Sequence, residues 1–285
     1  MPLSRAAPAK INLYLHVTGR RDDGYHRLDS LVAFASVGDE VAAAPADDLT
    51  LEVKGPFGPA LASAEDNLVL RAARALAAAA GMAPRAALTL TKNLPPASGI
   101  GGGSADAAAT LHLLVALWRL DPGEADLAAI ALNLGADVPV CLAGRPAQMA
   151  GIGEQVRPAP ARPAAWAVLA HPGVPLETAS VFRRFAGPFT GPAPLDPMPA
   201  SATDLAAALR ARRNDLEAAA IGLCPVIGEG LAALAALPDA LIARMSGSGA
   251  TCFALFAGAR EAKAGAAALR RRYPAWWITA TPFIP

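Results

Sequence analysis

Between Leu94 and Asp106 the chain reads Leu-Pro-Pro-Ala-Ser-Gly-Ile-Gly-Gly-Gly-Ser-Ala-Asp, with four glycines in the five positions from Gly99 to Gly103. The preceding Ala86–Thr91 alternates as a strand does. The following Ala107–Trp118 places Leu111, Leu114, Val115 and Trp118 on one helical face. The glycines therefore sit between a strand and a helix start, with Ser104 as a helix-capping residue. Without a Cβ, successive backbone N–H groups can turn toward one anion. The helix start adds unpaired N–H groups and the positive end of a dipole. Taken alone, the stretch is either a surface turn or a phosphate cradle, and the mechanism favours the cradle. It is not a Walker A loop, which needs Lys-Ser/Thr after its last glycine. Nor is it a dinucleotide fingerprint, which needs a glycine where Ser104 stands.

Composition narrows the partners. A chain of 285 residues suffices for one large domain or two ordinary ones. With 54% hydrophobic residues and a net charge of +1, it can bury a substantial core. The near-neutral balance argues against a nucleic-acid or membrane surface as the main partner. Cys141, Cys224 and Cys252 are widely spaced and form no C-x-x-C, which argues against disulfides and zinc and for a reducing compartment. The start of the chain lacks a signal-peptide pattern, and no apolar run reaches the roughly 18 residues of a membrane span. The cytoplasm is the expected location.

Several further segments carry chemistry-bearing residues. Residues 8–17 alternate, with Ile11, Leu13, Leu15 and Val17 on one face and Lys10, Asn12, Tyr14 and His16 on the other. This pattern predicts a strand buried on one side, and a lone lysine on the other face is ordinarily solvated. Arg20–His26 reads as a turn that presents Tyr25 and His26 side by side. A ring can stack on a base and an imidazole can hydrogen-bond a base edge; the plainer alternative is a packed tyrosine beside a surface histidine. Strands are expected at Leu28–Val37, Glu40–Ala44 and Leu49–Val53, then a helix capped by Asn67 and stopped by Gly81. A helix over Glu124–Leu134 leads to Gly135-Ala136-Asp137-Val138-Pro139, where a single acid at an element boundary is ordinarily structural.

The proline-rich Arg157–Pro163 reads as a linker and divides the chain into 1–156 and 157–285. Beyond it come a strand at Trp166–Ala170 and a short helix at Thr178–Phe185 that carries Phe182. Gly187–Ala200, with five prolines, reads as a surface loop. A helix begins near Asn214 and another covers Ile227–Ala236. A second glycine loop, Met245–Thr251, leads into a strand at Cys252–Phe256. A helix over Glu261–Arg272 and a strand over Trp276–Thr281 complete a β-α-β unit. Ser246 stands where a nucleophile elbow needs its first glycine, which lowers a hydrolase reading.

The pattern P-x3-G-[IL]-G-x-x-S over Pro95–Ser104 resembles the second motif of the GHMP kinases (galacto-, homoserine, mevalonate and phosphomevalonate kinases), and Met245–Thr251 resembles the third. Pro8-Ala9-Lys10-Ile11-Asn12-Leu13, Asp23-Gly24-Tyr25-His26, Glu65–Ala73, Gly135–Pro139 and Asn214-Asp215-Leu216-Glu217 resemble segments of one branch of that family, whose small-molecule substrate carries a cytidine diphosphate group. The segments keep family order from residue 8 to about residue 256.

The resemblance implies an α+β, two-domain GHMP kinase fold. Its parts are an N-terminal ribosomal-protein-S5-like nucleotide-binding domain and a C-terminal, substrate-side ferredoxin-like domain, with the active site in the cleft between them. It also implies an ATP-dependent small-alcohol kinase that uses Mg²⁺. The catalytic residues are then Asp137, as proton acceptor, and Lys10. Pro95, Pro96, Ala97, Ser98, Gly99, Ile100, Gly101, Gly102, Gly103, Ser104 and Ala105 surround the ATP phosphates, while Asn67 and Leu68 approach the ATP nucleoside. Asn12 orients the substrate hydroxyl, and Tyr25, His26 and Phe182 hold the cytosine. The Ser104 hydroxyl approaches Mg²⁺. A mevalonate- or homoserine-like kinase of the same family has no reason for Asp-Gly-Tyr-His. A non-catalytic ligand sensor of this fold should lack a working acid, whereas Lys10 and Asp137 are both present.

Overall fold

The computed structural model describes residues 3–61 and 66–284. The chain forms two interleaved compact units. One comprises Met1–Ala9, Val37–Pro96 and Gly101–Gly144; the other comprises Lys10–Ser36, Ala97–Ile100 and Arg145–Pro285. This differs from a sequential division at residues 156 and 157. The first two strands, β1 (Leu3–Arg20) and β2 (His26–Ala44), are 18 and 19 residues long and contribute to both units. Ala97–Ile100 is bonded into the second unit through Lys10 N–H to the Ile100 carbonyl (2.8 Å) and Thr251 N–H to the Ser98 carbonyl (3.0 Å). The proline-rich stretch at 157 is not a free linker, because β6 (Gln155–Pro158) takes up its start.

In the first unit, β3 (Leu49–Lys54) pairs in parallel with β4 (Ala86–Thr91). The end of β2 pairs antiparallel with β4, with Glu40 opposite Thr91 and Ala44 opposite Ala87. Four helices pack together there: α1 (Leu68–Ala79), α2 (Gly102–Trp118), α3 (Glu124–Leu134) and α4 (Val138–Ala143). The Asn67 side chain starts α1 by accepting from Val69 N–H at 2.9 Å. Helix α2 is buried without interruption from Ala105 to Leu111, so it is a core helix rather than one with a single apolar stripe. Its alanines allow the neighbouring helices close approach.

In the second unit, the start of β2 pairs antiparallel with β5 (Ala147–Gly151), which pairs with β6. A second sheet holds β7 (Trp166–His171), β8 (Ile242–Met245), β9 (Cys252–Phe256) and β10 (Trp277–Pro282) in the order β10-β7-β9-β8. Strand β7 is antiparallel to both β9 and β10, so those two run parallel. Helix α9 (Ala259–Arg272) connects them, which makes the expected β-α-β unit a split one, as in ferredoxin-like folds. Helices α5 (Thr178–Arg184), α6 (Ala202–Arg210), α7 (Glu217–Leu223) and α8 (Val226–Ala235) complete the unit.

Three local expectations change. Strand β1 is buried on both faces, because Lys10, Asn12, Tyr14 and His16 all have partners in the interior. Strand β2 runs through Gly38 without the break expected between residues 37 and 40. Helix α2 starts at Gly102, five residues before Ala107, so Ser104 lies inside its first turn and is not the cap.

Candidate active site

The first unit carries the helix side of the glycine loop. Gly101 is the N-cap of α2 at φ +64°, a left-handed conformation that glycine adopts without a Cβ clash. No side chain caps this helix, and its first turn contains no acid. The N–H groups of Gly102, Gly103 and Ser104 therefore lack the side-chain partner that usually satisfies a helix start. That arrangement suits an anion. Leu68 approaches the same turn, and a Cβ on Gly103 would lie 3.2 Å from its Cδ1. Asn67 is engaged as the α1 cap, and Glu65 lies outside the described residues.

A buried ion cluster underlies this turn. Lys92 Nζ donates to Asp39 Oδ2 at 2.5 Å and to Asp106 Oδ2 at 2.7 Å. Asp39 Oδ1 accepts from the N–H groups of Asn93 (2.6 Å) and Leu94 (2.8 Å). The strand end entering the loop and the helix leaving it are thus joined through one ammonium group. A Cβ on Gly102 would lie 3.0 Å from that ammonium. Asp106 Oδ1 is buried without a partner among the described residues. Burial pushes the Asp106 carboxyl up to about 7 against the opposing pull of Lys92. The cluster joins residues 39, 92 and 106, and only Lys92 and Asp106 flank the loop in sequence.

Asp137 stands at the N-cap of α4 and is half-buried, and its carboxylate does not cap that helix. Pro139 in the first turn of α4 needs no N–H donor there, which explains the proline inside an apolar segment.

The second unit carries the other half of the loop and the substrate-side candidates. Lys10 is only 2% exposed, and its Nζ donates to Asn12 Oδ1 at 2.8 Å. Asn12 Nδ2 donates to Ser30 Oγ at 2.8 Å, so the Lys10–Asn12 pair is held from behind. Ser246 Oγ accepts from Asn12 N–H and donates to the Gly99 carbonyl, both at 3.2 Å. The second glycine loop thereby touches both β1 and the phosphate loop. Asn214 braces it by donating to the carbonyls of Met245 (2.9 Å) and Gly247 (2.8 Å), while its Oδ1 accepts from Leu216 N–H. Farther along β1, Tyr14 O–H donates to Asp29 Oδ2 at 3.0 Å, and Gln148 Nε2 reaches both groups at 2.5 Å.

Tyr25 is 60% exposed at its turn, with a ring presented to solvent. His26 and Phe182 come together, with ring centroids 5.3 Å apart and planes 24° from parallel. Burial, then the charge of Arg20, lowers the His26 pKa below its ordinary value and favours the neutral imidazole at pH 7.

The sequence pattern described as GHMP kinases N terminal domain matches residues 67–145, and that described as GHMP kinases C terminal matches residues 200–275. The chain belongs to the GHMP kinases, a family that uses ATP as phosphate donor, and it is a kinase. It is 56% identical to the 4-diphosphocytidyl-2-C-methyl-D-erythritol kinase of Paramagnetospirillum magneticum over 95% of both chains. It is 58% identical to that of Cereibacter sphaeroides over 95% of this chain and 96% of the relative. A crystal structure of 4-(cytidine 5'-diphospho)-2C-methyl-D-erythritol kinase matches with a TM-score of 0.80 at 37% identity, covering 99% of this chain and 100% of that one. Within the GHMP kinases, the chain is therefore one of the 4-diphosphocytidyl-2-C-methyl-D-erythritol kinases.

Proposed function

We propose that the protein transfers the γ-phosphoryl group of ATP to the 2-hydroxyl of 4-diphosphocytidyl-2-C-methyl-D-erythritol, in the methylerythritol phosphate route to isoprenoid precursors. The observation that carries this reading is 56% identity with a kinase of that name over 95% of both chains. The uncapped, acid-free start of α2 supports the nucleotide part.

Phosphoryl transfer needs alignment, charge neutralisation and a proton acceptor more than covalent help. Residues 95–105 are assigned to the phosphates of ATP, and Asn67 and Leu68 to its nucleoside. Asp137 takes the proton of the attacking hydroxyl as oxygen bonds to the γ-phosphorus and ADP leaves. Lys10 offsets charge developing on the transferred group. Asn12, fixed between Lys10 and Ser30, orients the hydroxyl. Tyr25, His26 and Phe182 hold the cytosine, and that remote grip positions the reacting end.

Among the described residues no group of three or more His, Cys, Asp or Glu forms a metal cage. Mg²⁺, a hard cation that takes oxygen ligands, is the ion expected to accompany ATP. Ser104, within the first turn of α2, would hold it through its hydroxyl, and the ion would there neutralise phosphate charge. On the family resemblance, 1–156 is assigned as the nucleotide-binding domain of this chain and 157–285 as its substrate-side domain. The three cysteines are buried, and no described helix is long and apolar enough to cross a membrane. We place the enzyme in the cytoplasm on the cysteine pattern.

Coupled ADP release with Mg-ATP tests the assignment. Release that depends on the cytidine compound, and on neither mevalonate nor homoserine, is expected. Release with mevalonate or homoserine instead would move the protein to another branch of the family.

A further inference from the structure

The cytosine-side candidates include an imidazole flanked by two aromatic rings. Among the described residues, His26 makes no hydrogen bond through its ring nitrogens; its ring contacts are to Phe182 and Phe185. Phe182 lies nearly parallel to it at 5.3 Å. That separation leaves no room for a base between them, since a sandwiched ring needs roughly twice the ~3.5 Å contact distance. Phe185 meets the imidazole edge-on, at 5.8 Å and 89°. A histidine ring has a broad, roughly two-fold torsional preference about its last bond. A stack fixes the ring plane, and a perpendicular neighbour fixes which edge turns outward. Phe185 follows Phe182 by three residues at the end of α5, so both rings fall on one helical face.

Phe185 is itself backed. Phe189 stacks on it at 6.4 Å and 30°, although 55% of Phe189 is exposed. Phe189 opens the proline-rich segment 187–200, which is tied down. Thr190 N–H donates to the Val17 carbonyl (2.9 Å), and Ala193 N–H donates to Asp29 Oδ2 (2.7 Å). His16 Nδ1 lies 3.1 Å from the Gly191 carbonyl, and the Arg212 guanidinium donates to the carbonyls of Ala193 and Pro194. The segment is a strap across β1 and β2, with its aromatic end against the His26 cluster.

We propose that Phe185, backed by Phe189 on this strap, is a positioning residue for base recognition that sets the orientation of the His26 imidazole and so the selectivity for the cytidine end of the substrate. This rests on the reading of His26 as a cytosine contact. A neutral imidazole offers one donor and one acceptor, which suits a pyrimidine edge that presents an amino donor beside acceptors. Residues outside the ring contact would then share in base selection through geometry alone.

The test compares Phe185→Leu, Phe185→Tyr, Phe189→Ala and His26→Ala in initial-rate kinetics, varying the cytidine substrate and ATP separately. Phe185→Leu is expected to raise the KM for the cytidine substrate about tenfold, with kcat and the KM for ATP within about twofold. Phe185→Tyr keeps the ring edge and is expected to restore the substrate KM. Phe189→Ala, at an exposed position, is expected to raise the same KM about threefold without loss of fold. The proposal is overturned if His26→Ala raises the substrate KM while the phenylalanine variants leave it unchanged or raise both KM values alike. An unchanged substrate KM in His26→Ala would overturn the His26 reading itself, and the proposal with it.

Discussion

Gly99→Ala is the most direct probe of how the phosphate loop is held. Gly99 has φ +76°, and a Cβ built on it would lie 2.3 Å from the Gly249 carbonyl oxygen. The obstructing atom is backbone, so no side chain can swing away. Gly81 is a matched control, at φ +65° with nothing within 4 Å of its Cβ position. Both substitutions incur the left-handed penalty of about 1 kcal/mol. Only Gly99→Ala adds the overpacking cost of about 1–3 kcal/mol. The expected totals are about 1 kcal/mol for Gly81→Ala and about 2–4 kcal/mol for Gly99→Ala, read from urea denaturation. Relieving the overlap needs a shift of about 1 Å in one glycine loop, and a misplacement of that size can cost about 10²-fold in turnover. Gly81→Ala should keep normal turnover. Equal stability of the two variants, with normal turnover in Gly99→Ala, would refute the packing of Ala97–Ile100 against the second glycine loop as the source of loop geometry.

Three other outcomes are expected. Burial raises the Asp106 pKa in the folded state to about 7, above its ordinary 3.8. Its contribution to stability is therefore fully present below about pH 4 and is lost as pH rises through about 7. Asp106→Asn should gain on the parent protein in urea melts as pH rises from about 4 through about 7; a pH-independent difference would contradict the assignment. Lys92→Met leaves Asp39 and Asp106 buried without their cation and should destabilise by about 3–5 kcal/mol, with part of the loss recovered when Asp106→Asn is added. Asp137→Asn should keep nucleotide affinity in equilibrium binding while turnover falls about 10²–10⁴-fold. Near-normal turnover in that variant would remove Asp137 from the proton-transfer role.

Elements with strict periodicity and clear punctuation were readable from sequence. Strands β4 and β9 and helix α3 run between the expected residues: β4 alternates along its own length, β9 is a short apolar run, and α3 has Gly123 and Gly135 at its ends. The Asn67 cap follows from a local rule and appears as a local bond. The polar face of β1 reads as solvated in sequence because the partners that bury its side chains, Ser30, Asp29, Gln148 and Gly191, are 15 to 175 residues away. The start of α2 lies earlier than the serine signal implies: serine is a strong capping residue, whereas here Gly101 takes the cap and Gly102 and Gly103 enter the helix. Lys92 directly follows β4 between Thr91 and Asn93, a polar setting that reads as surface; only its meeting with Asp39, 53 residues away, shows it as buried. The ring cluster of Phe185 and the strap are not legible in sequence, because stacking geometry has no sequence signature and proline content alone says loop.

The measurement closest to the central claim is phosphorus NMR of the reaction of the purified protein with Mg-ATP and 4-diphosphocytidyl-2-C-methyl-D-erythritol. The account predicts a new phosphomonoester resonance growing in step with ADP, while the cytidine diphosphate resonances of the substrate persist. ADP accompanied by inorganic phosphate alone, or loss of the cytidine diphosphate resonances, would contradict phosphoryl transfer to the 2-hydroxyl.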